Sequence, residues 1–98
     1  MPFTSGDIVT IILHSPREKL VGVLGEVSTA GISARVIDLE YFDDWSRSVA
    51  AGESYLSMSD QFFPMWRVER MTRDERSGEI PSMAEQFASR TGRSLTDV

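Results

Sequence analysis

Residues 62–71, FFPMWRVERM, admit two interpretations, and the choice between them decides the fold. The aromatic and arginine side chains could form a stacking surface for unpaired bases, or the segment could hold two short strands joined by a turn. A single strand is disfavoured because alternation would leave both faces mixed, with Phe62 and Arg70 on the same one. A break at Pro64 removes this conflict, since proline suits the first position of a tight turn. The segment therefore predicts strand QFF, a one-turn 3₁₀ connection PMWR and strand VERM.

Three longer strands are predicted upstream of this segment. Residues 7–14, DIVTIILH, are rich in β-branched side chains and apolar on both faces, so this strand should be covered on both sides. Residues 19–28 carry Gly22 and Gly25, and glycine inside a strand is typical of a bulge or a sharp bend. Residues 32–42, ISARVIDLEYF, are predicted to form one long bent strand whose apolar face switches midway. With the two short strands, they predict a mainly β protein of five strands.

The rest of the chain predicts a long loop and a short helix. Residues 43–60 show no clean period and should pack down through their apolar side chains, with one helical turn near residues 46–51. Further on, Ser82 and Glu85 stand at capping-box spacing and Gly92 lies where a helix ends. The chain after Gly92 is expected to be disordered.

These elements divide the chain into two regions. Residues 1–78 are assigned to a small β-barrel domain that includes the loop at 43–60, and residues 79–98 to a C-terminal helix and a flexible tail. A nine- or ten-residue helix is marginal alone in water, so the helix should dock on the domain or on a second subunit.

Composition and charge narrow the classes of function. The 98 residues are enough for one domain, and the absence of cysteine excludes disulfides and thiolate metal sites. The net charge of −5 is concentrated between Asp38 and Asp60, where six acidic residues accompany one base, Arg47. Such a chain is a poor general ligand for phosphate backbones, so DNA binding is not expected and RNA binding is disfavoured.

The N-terminal sequence and the short apolar segments predict an intracellular protein. The N-terminal residues MPFTSGDIVTII lack the basic start and the unbroken apolar run of a signal peptide. The longest apolar segments are far shorter than the ~20 residues of a membrane span. The sequence therefore predicts a cytoplasmic protein that does not associate with membranes.

Catalytic signatures are missing from the chain. His14 has no nucleophile or second ligand at a recognisable spacing, and the adjacent Asp43 and Asp44 lack the alternating carboxylates of a metal loop. We therefore expect no enzymatic activity, no bound metal and no cofactor.

The order of the predicted elements resembles the Sm-like family of five-stranded β-barrels, and more broadly SH3-like small barrels. The resemblance covers residues 7–72 and includes Gly22, Leu24 and Val27, which stand where the family has its second-strand glycine and apolar residues. It implies a strongly bent barrel, rings formed by pairing the fourth strand of one subunit with the fifth of the next, and in many members single-stranded RNA at the inner rim. The RNA motifs of the family are not matched, because Ser28 and Gly31 replace its aspartate and asparagine.

Arginines recur at every third residue from Arg67 to Arg76. They could bind phosphates while Trp66 stacks on bases. They could instead pair with acids of the same region, such as Glu69 and Glu79. The second interpretation is favoured.

Three groups of residues are candidates for interactions. Contacts to RNA or to a protein partner are assigned to Trp66, Arg67, Arg70 and Arg73. The edge that joins copies of the chain is assigned to Phe62, Phe63, Val68 and Met71. A loop and helix that dock a protein partner are assigned to Trp45, Tyr55, Met83 and Phe87.

These assignments lead to one favoured function and one alternative. The favoured function is a non-enzymatic small β-barrel that forms homo-oligomers through its edge strands and binds a partner protein. The alternative is an Sm-like ring that binds single-stranded RNA.

Overall fold

The computed structural model describes residues 2–53 and 55–98. The strands are β1 (Ile8–Leu13), β2 (Glu18–Val27), β3 (Gly31–Asp38), β4 (Ser59–Pro64) and β5 (Val68–Arg73). The helices are α1 (Phe42–Ala50) and α2 (Met83–Thr91). Single 3₁₀ turns lie at Leu39–Tyr41, Met65–Arg67 and Leu95–Asp97. We call the second of these, which joins β4 to β5, the connecting turn.

All five strands form one antiparallel sheet in the order β4-β3-β2-β1-β5. β4 and β5 are the outermost strands, and within the described residues no pairing joins them, so the sheet is open. The prediction of a mainly β protein with five strands and a short C-terminal helix is confirmed. The predicted break is confirmed as well, since β4 ends at Pro64 and the connecting turn follows it.

The connecting turn forces this open sheet to curl. Across a flat sheet the outermost of five strands would lie about 19 Å apart, at ~4.8 Å per strand. The connecting turn spans only about 8 Å, because a 3₁₀ turn rises ~2 Å per residue over the four steps between β4 and β5. Both of its ends are fixed, since the Met65 N–H donates to the Ala30 carbonyl and the His14 N–H donates to the Arg67 carbonyl, each at 2.9 Å. The two outermost strands therefore approach each other at one corner.

β2 carries the glycines that this curvature requires. A Cβ atom on Gly22 would lie 2.0 Å from the Arg35 carbonyl oxygen, so the backbone of β3 occupies the space of a side chain. The register of β2 against β3 shifts between Leu24 and Glu26, which places a bulge at Gly25. The bulge or bend predicted from these glycines is confirmed.

The sheet buries one apolar cluster on its concave side, which we call the inner core. Side chains from β1, β2 and β3 supply most of it, and Phe63 of β4 completes it. Met65, Val68 and Met71 pack against it from the connecting turn and β5, so all five strands contribute. The buried members are Val9, Ile11, Leu13, Leu20, Leu24, Ile32, Ala34, Val36 and Phe63.

A second apolar cluster, the outer core, covers the opposite face. Val21 and Ile37 of the sheet pack under side chains from α1, α2 and the C-terminal 3₁₀ turn. The buried members are Val21, Ile37, Phe42, Trp45, Met58, Phe87 and Leu95. Ile8 packs against the outer core while Val9 lies in the inner core, so both faces of β1 are covered at its first residues. Ile12, farther along the outer face, is half-buried and belongs to neither core.

β3 is shorter than predicted, and a helix replaces the first half of the predicted loop. β3 ends at Asp38, whose carboxylate accepts a hydrogen bond from the Glu40 N–H and starts a 3₁₀ turn. α1 follows, with Phe42, Trp45 and Val49 at helical spacing against the outer core. The single predicted turn is therefore a helix of nine residues. Only three apolar residues carry its helical period, so the sequence pattern predicts a single turn there.

The C-terminal helix begins and ends where its capping residues predict. The Ser82 hydroxyl accepts from the Glu85 N–H, the Glu85 carboxylate accepts from the Ser82 N–H, and Gly92 closes α2 with a φ of 71°. The segment after Gly92 differs from the predicted disorder. It forms a 3₁₀ turn whose Leu95 is buried in the outer core, and this apolar contact supplies a reason for the segment to order.

We expect Gly22→Ala to lower the free energy of unfolding by about 3 kcal/mol, because the added Cβ meets main-chain atoms that no rotamer change can move. Gly52→Ala is the matched control. Its Cβ meets nothing within 4 Å, so only the positive φ of 75° opposes it, at a cost of about 1 kcal/mol. Urea denaturation followed by circular dichroism measures both. Equal losses in the two variants would contradict the close packing at Gly22.

Candidate interaction surface

β4 presents a free edge with an exposed aromatic ring. Phe63 points into the inner core, whereas Phe62 points to the other face and is 57% exposed. Its ring lies over Gly31, where a Cβ atom would come within 2.7 Å of the Phe62 ring. In an antiparallel strand pair, residues whose N–H and C=O groups bond to the partner strand alternate with residues whose groups point away from it. The Met65 N–H donates to the Ala30 carbonyl, so the odd-numbered residues of β4 are the ones that bond to β3. The N–H groups of Asp60 and Phe62 therefore point away from β3, toward the free edge.

β5 presents the second free edge, and its character is more polar. Val68 and Met71 are half-buried against the inner core, while Glu69, Arg70 and Thr72 are exposed. The residues assigned to the oligomer edge are therefore divided by the structure. Phe62 is the exposed one, and the other three, Phe63, Val68 and Met71, pack into the inner core.

The predicted arginine cluster is taken up mostly by internal contacts. Arg67 donates to the carbonyls of His14 and Pro16 at 3.3 and 2.9 Å and to the Glu18 carboxylate at 2.8 Å. These bonds tie the connecting turn to the turn between β1 and β2. The guanidinium is therefore a structural clamp, and only 19% of its side chain is exposed.

The remaining arginines of the cluster differ from one another. Arg73 bonds to the Asp7 carboxylate at 3.3 Å and lies over the Phe3 ring, and Arg76 bonds to Glu85 at 3.0 Å. Arg70 is exposed, and none of the described residues forms an ion pair with it. The structure therefore separates Arg70 from the other three.

Trp66 lies at the centre of the connecting turn and is 65% exposed. Its ring contacts His14 edge-on, with the ring centroids 6.2 Å apart. Because hydrogen bonds fix the turn on both sides, this side chain is an exposed aromatic on a rigid backbone. The sequence singled out Trp66, but it gave no sign that His14 would be its neighbour.

The residues assigned to partner docking are mostly inside the protein. Trp45 is 2% exposed and stacks on Phe87, with their ring centroids 4.7 Å apart. Met83 packs half-buried against the same outer core, whereas Tyr55 is 69% exposed. The helical spacing of α1 and α2 directs their apolar stripes onto the sheet, so Trp45 and Phe87 are occupied within the chain.

The acidic residues between Asp38 and Asp60 are partly neutralised by Arg90 of α2 and by Arg47 of α1. The Arg90 guanidinium donates to the Asp43 carboxylate at 2.7 Å and joins α2 to α1. This hydrogen bond holds the pKa of Asp43 below its ordinary value. Asp44 pairs with Arg47 within α1 at 3.2 Å.

One depression on the described surface is lined mainly by charged side chains. This depression, about 580 Å³, is lined by Leu39 and five charged side chains, Arg17, Glu18, Lys19, Asp38 and Glu40. A small-molecule site is usually lined by apolar and aromatic side chains with a few polar groups. In the described part of the chain, no three acidic or histidine side chains are grouped as metal ligands would be.

We expect Asp43→Asn to lower the free energy of unfolding more at pH 7 than at pH 3. The hydrogen bond from Arg90 lowers the pKa of Asp43 in the folded protein. The ion pair of Asp43 with Arg90 therefore stabilises the protein fully above the unfolded pKa of about 3.9. This stabilisation is lost as the pH falls through the folded-state pKa. The loss at pH 7 should stay below about 1 kcal/mol, because the pair is exposed. Urea denaturation at both pH values measures it. Asp44→Asn, which removes a pair within one helix, is the control, and an equal loss at both pH values would contradict the assignment.

No helix among the described residues is long and apolar enough to cross a membrane. Comparison of the chain with protein-family models, with curated proteins and with solved structures gave no match. The two free edges and the connecting turn are therefore the features that can indicate a function.

Proposed function

We propose that this protein is a non-enzymatic assembly module, a small curled β-barrel that associates with copies of itself through its free edge strands. The observation that carries the proposal is the pair of unpaired outer strands, β4 and β5, at opposite ends of one sheet. Unpaired strand edges expose rows of N–H and C=O groups that bind a further strand readily. Pairing the edges between copies satisfies these groups.

The architecture supports a barrel-like subunit in this proposal. All five antiparallel strands contribute side chains to one inner core, and a three-residue 3₁₀ connection brings the outermost strands together at a corner. These features agree with the resemblance to Sm-like and SH3-like barrels. The same fold serves many functions, so the edges rather than the fold carry the assignment.

The β4 edge is the stronger of the two candidate contacts. Natural edge strands usually avoid pairing by carrying charges, prolines or bulges. β4 has one charge, Asp60, and its proline stands at its last residue. Phe62 exposes more than half of its surface beside outward-pointing N–H groups. An aromatic ring of this kind is a typical anchor of a protein interface.

The outward Trp66 is the surface we assign to a partner protein. It stands on the connecting turn, and a rigid exposed tryptophan loses little conformational freedom on binding. A partner bound at Trp66 would leave the outward N–H groups of β4 free for self-association.

We expect Phe62→Pro to reduce self-association at least tenfold, because it removes an outward N–H and the exposed ring without breaking a bond to β3. Phe62→Ala keeps the N–H and should weaken association less. Sedimentation equilibrium over a range of concentrations measures association, and circular dichroism checks that each variant is folded. A wild-type protein that stays monomeric at high micromolar concentration would overturn the proposal.

Single-stranded RNA binding is the second candidate, and the exposure of Trp66 is the observation that favours it. The arginines favour it less, since Arg67 and Arg73 are engaged with Glu18 and Asp7. The net charge of −5 also opposes contact with phosphates.

We expect labelled oligouridine to show no saturable binding to the wild-type protein at low salt, measured by fluorescence anisotropy. Arg67→Ala should lower stability instead, because it removes the clamp on the turn between β1 and β2. Binding that weakens steeply with salt and is lost in Trp66→Ala would favour the RNA function over our proposal.

A further inference from the structure

One row of side chains on the outer face of the sheet lies beyond the outer core. Ile11 is buried in the inner core, so its neighbour Ile12 points to the opposite, outer face. Ile12 is half-buried and belongs to neither core. Arg70 of β5 and Lys19 of β2 stand opposite Ile12 in register, so the three side chains share that face. We call Arg70, Ile12 and Lys19 the outer row.

Both ends of the outer row carry a positive charge. Arg70 and Lys19 are exposed, and neither forms an ion pair with any residue that the structure describes. The row therefore presents two cations on either side of an aliphatic side chain. This combination suits a ligand that is both acidic and apolar.

The acidic side chains beside the outer row are mostly engaged in other contacts. Glu69 and Glu18 each bind an arginine, at 3.3 and 2.8 Å. Asp38 and Glu40 line the same depression as Lys19, and the Asp38 carboxylate accepts a hydrogen bond from the Glu40 N–H. Glu40 forms no ion pair with a described residue, so it is the acid left to compete for Lys19.

Resting on the proposed partner protein, we propose that the outer row binds an acidic helix of that partner. An aliphatic side chain of the helix packs on Ile12, and one carboxylate binds each of the two cations. α1 and α2 already cover the outer core on the same face of the sheet. The helix of the partner extends this layer of helices over the next row of the sheet.

The spacing of the cations fits a helix better than an extended segment. Arg70 and Lys19 stand two strands apart, about 10 Å, at ~4.8 Å per strand. A helix brings residues i and i+7 to one face about 10.5 Å apart, with i+4 between them, at ~1.5 Å per residue. Side chains on one face of an extended segment are about 6.6 or 13 Å apart, at ~3.3 Å per residue. The helical spacing is the closer match.

The outer row adjoins the surface that we assign to a partner protein. Two residues after Ile12, the His14 ring contacts the Trp66 ring, with the centroids 6.2 Å apart. One partner can therefore contact Trp66 and the outer row together.

The composition of the outer row favours a protein over RNA. Single-stranded RNA is held by aromatic side chains that stack on its bases, whereas the central side chain of this row is aliphatic. Two cations also provide few phosphate contacts, on which the affinity for nucleic acids depends.

A designed peptide tests the site on the full chain. The probe is an alanine- and glutamine-rich helical peptide of about 18 residues, with glutamates at i and i+7 and a leucine at i+4. Titration at low salt, followed by the ¹H–¹⁵N correlation spectrum of the protein, should show saturable shifts centred on Ile12, Lys19 and Arg70. The same peptide with glutamines at i and i+7 should bind about fivefold more weakly, because both ion pairs are lost. High salt should reduce this difference.

Charge changes in the protein test the same contact from the other side. We expect Arg70→Glu and Lys19→Glu each to weaken binding of the glutamate peptide at least about threefold, since attraction becomes repulsion. Glu40→Gln should strengthen binding about twofold, because it removes the competing acid. Circular dichroism checks that each variant is folded, and the comparison of the two peptides on the wild type needs no variant.

Arg93→Glu is the matched control. Arg93 is exposed and forms no ion pair with a described residue, and it lines a different depression together with Arg35 of β3. The variant makes the same change of charge outside the outer row, so binding should be unchanged. A loss as large as that of Arg70→Glu would show that net charge controls binding and would overturn the site.

The outcomes separate this inference from the proposed function. If millimolar glutamate peptide causes no shifts at the outer row, the acidic helix is overturned, while self-association measured by sedimentation is unaffected. If the wild type binds the peptide at the outer row but stays monomeric, self-association is overturned and the site stands. Tighter binding of oligouridine than of the peptide at the outer row would identify an RNA surface and overturn the inference.

Discussion

The structure depends on one constraint: three residues connect two strands that lie at opposite ends of a five-stranded sheet. A flat sheet does not meet that constraint, so the sheet curls until its outermost strands approach at a corner. Hydrogen bonds from Met65 to Ala30 and from His14 to Arg67 hold this corner, and the Arg67 side chain adds three further bonds to the turn between β1 and β2. The β3 backbone also comes so close to Gly22 that no side chain fits at that position.

Curling gives a small chain two cores instead of one. The concave face closes around the inner core, and the convex face is left apolar enough to need a cover. α1, α2 and the C-terminal 3₁₀ turn supply that cover, with Trp45 stacked on Phe87 between the helices. A chain of 98 residues without disulfides can bury enough apolar surface in this way to fold. The helices are therefore part of the packed domain and are not a separate appendage.

The same geometry leaves two edges open, and their side chains differ. β4 offers an exposed phenylalanine and one acid, and β5 offers an arginine, Arg70, with which none of the described residues forms an ion pair. The two edges therefore differ in polarity and in charge. Trp66 is exposed on the connecting turn that joins these two strands.

The sequence by itself determined the elements whose signals are local. Pro64 marked the break between β4 and β5, the strand glycines marked the bend of β2, and Ser82 with Glu85 marked the start of α2. Each of these residues acts on its own backbone or on a neighbour within a few positions.

Only the tertiary structure decided the rest, because the deciding partners are distant in the chain. Nothing local shows that Arg67 clamps a turn about fifty residues away, at Pro16 and Glu18, and so is not free to bind phosphate. The sequence predicts one helical turn where α1 forms. The three apolar residues of α1 stabilise the helix only by packing on the outer core, which is built from distant parts of the chain. Trp45 and Tyr55 are both aromatic residues of segment 43–60, and no local pattern distinguishes them. The packing of α1 buries Trp45, whereas Tyr55 is exposed to water. Which aromatic and charged side chains remain available to a partner is set by the packing of the whole chain, which no local pattern records.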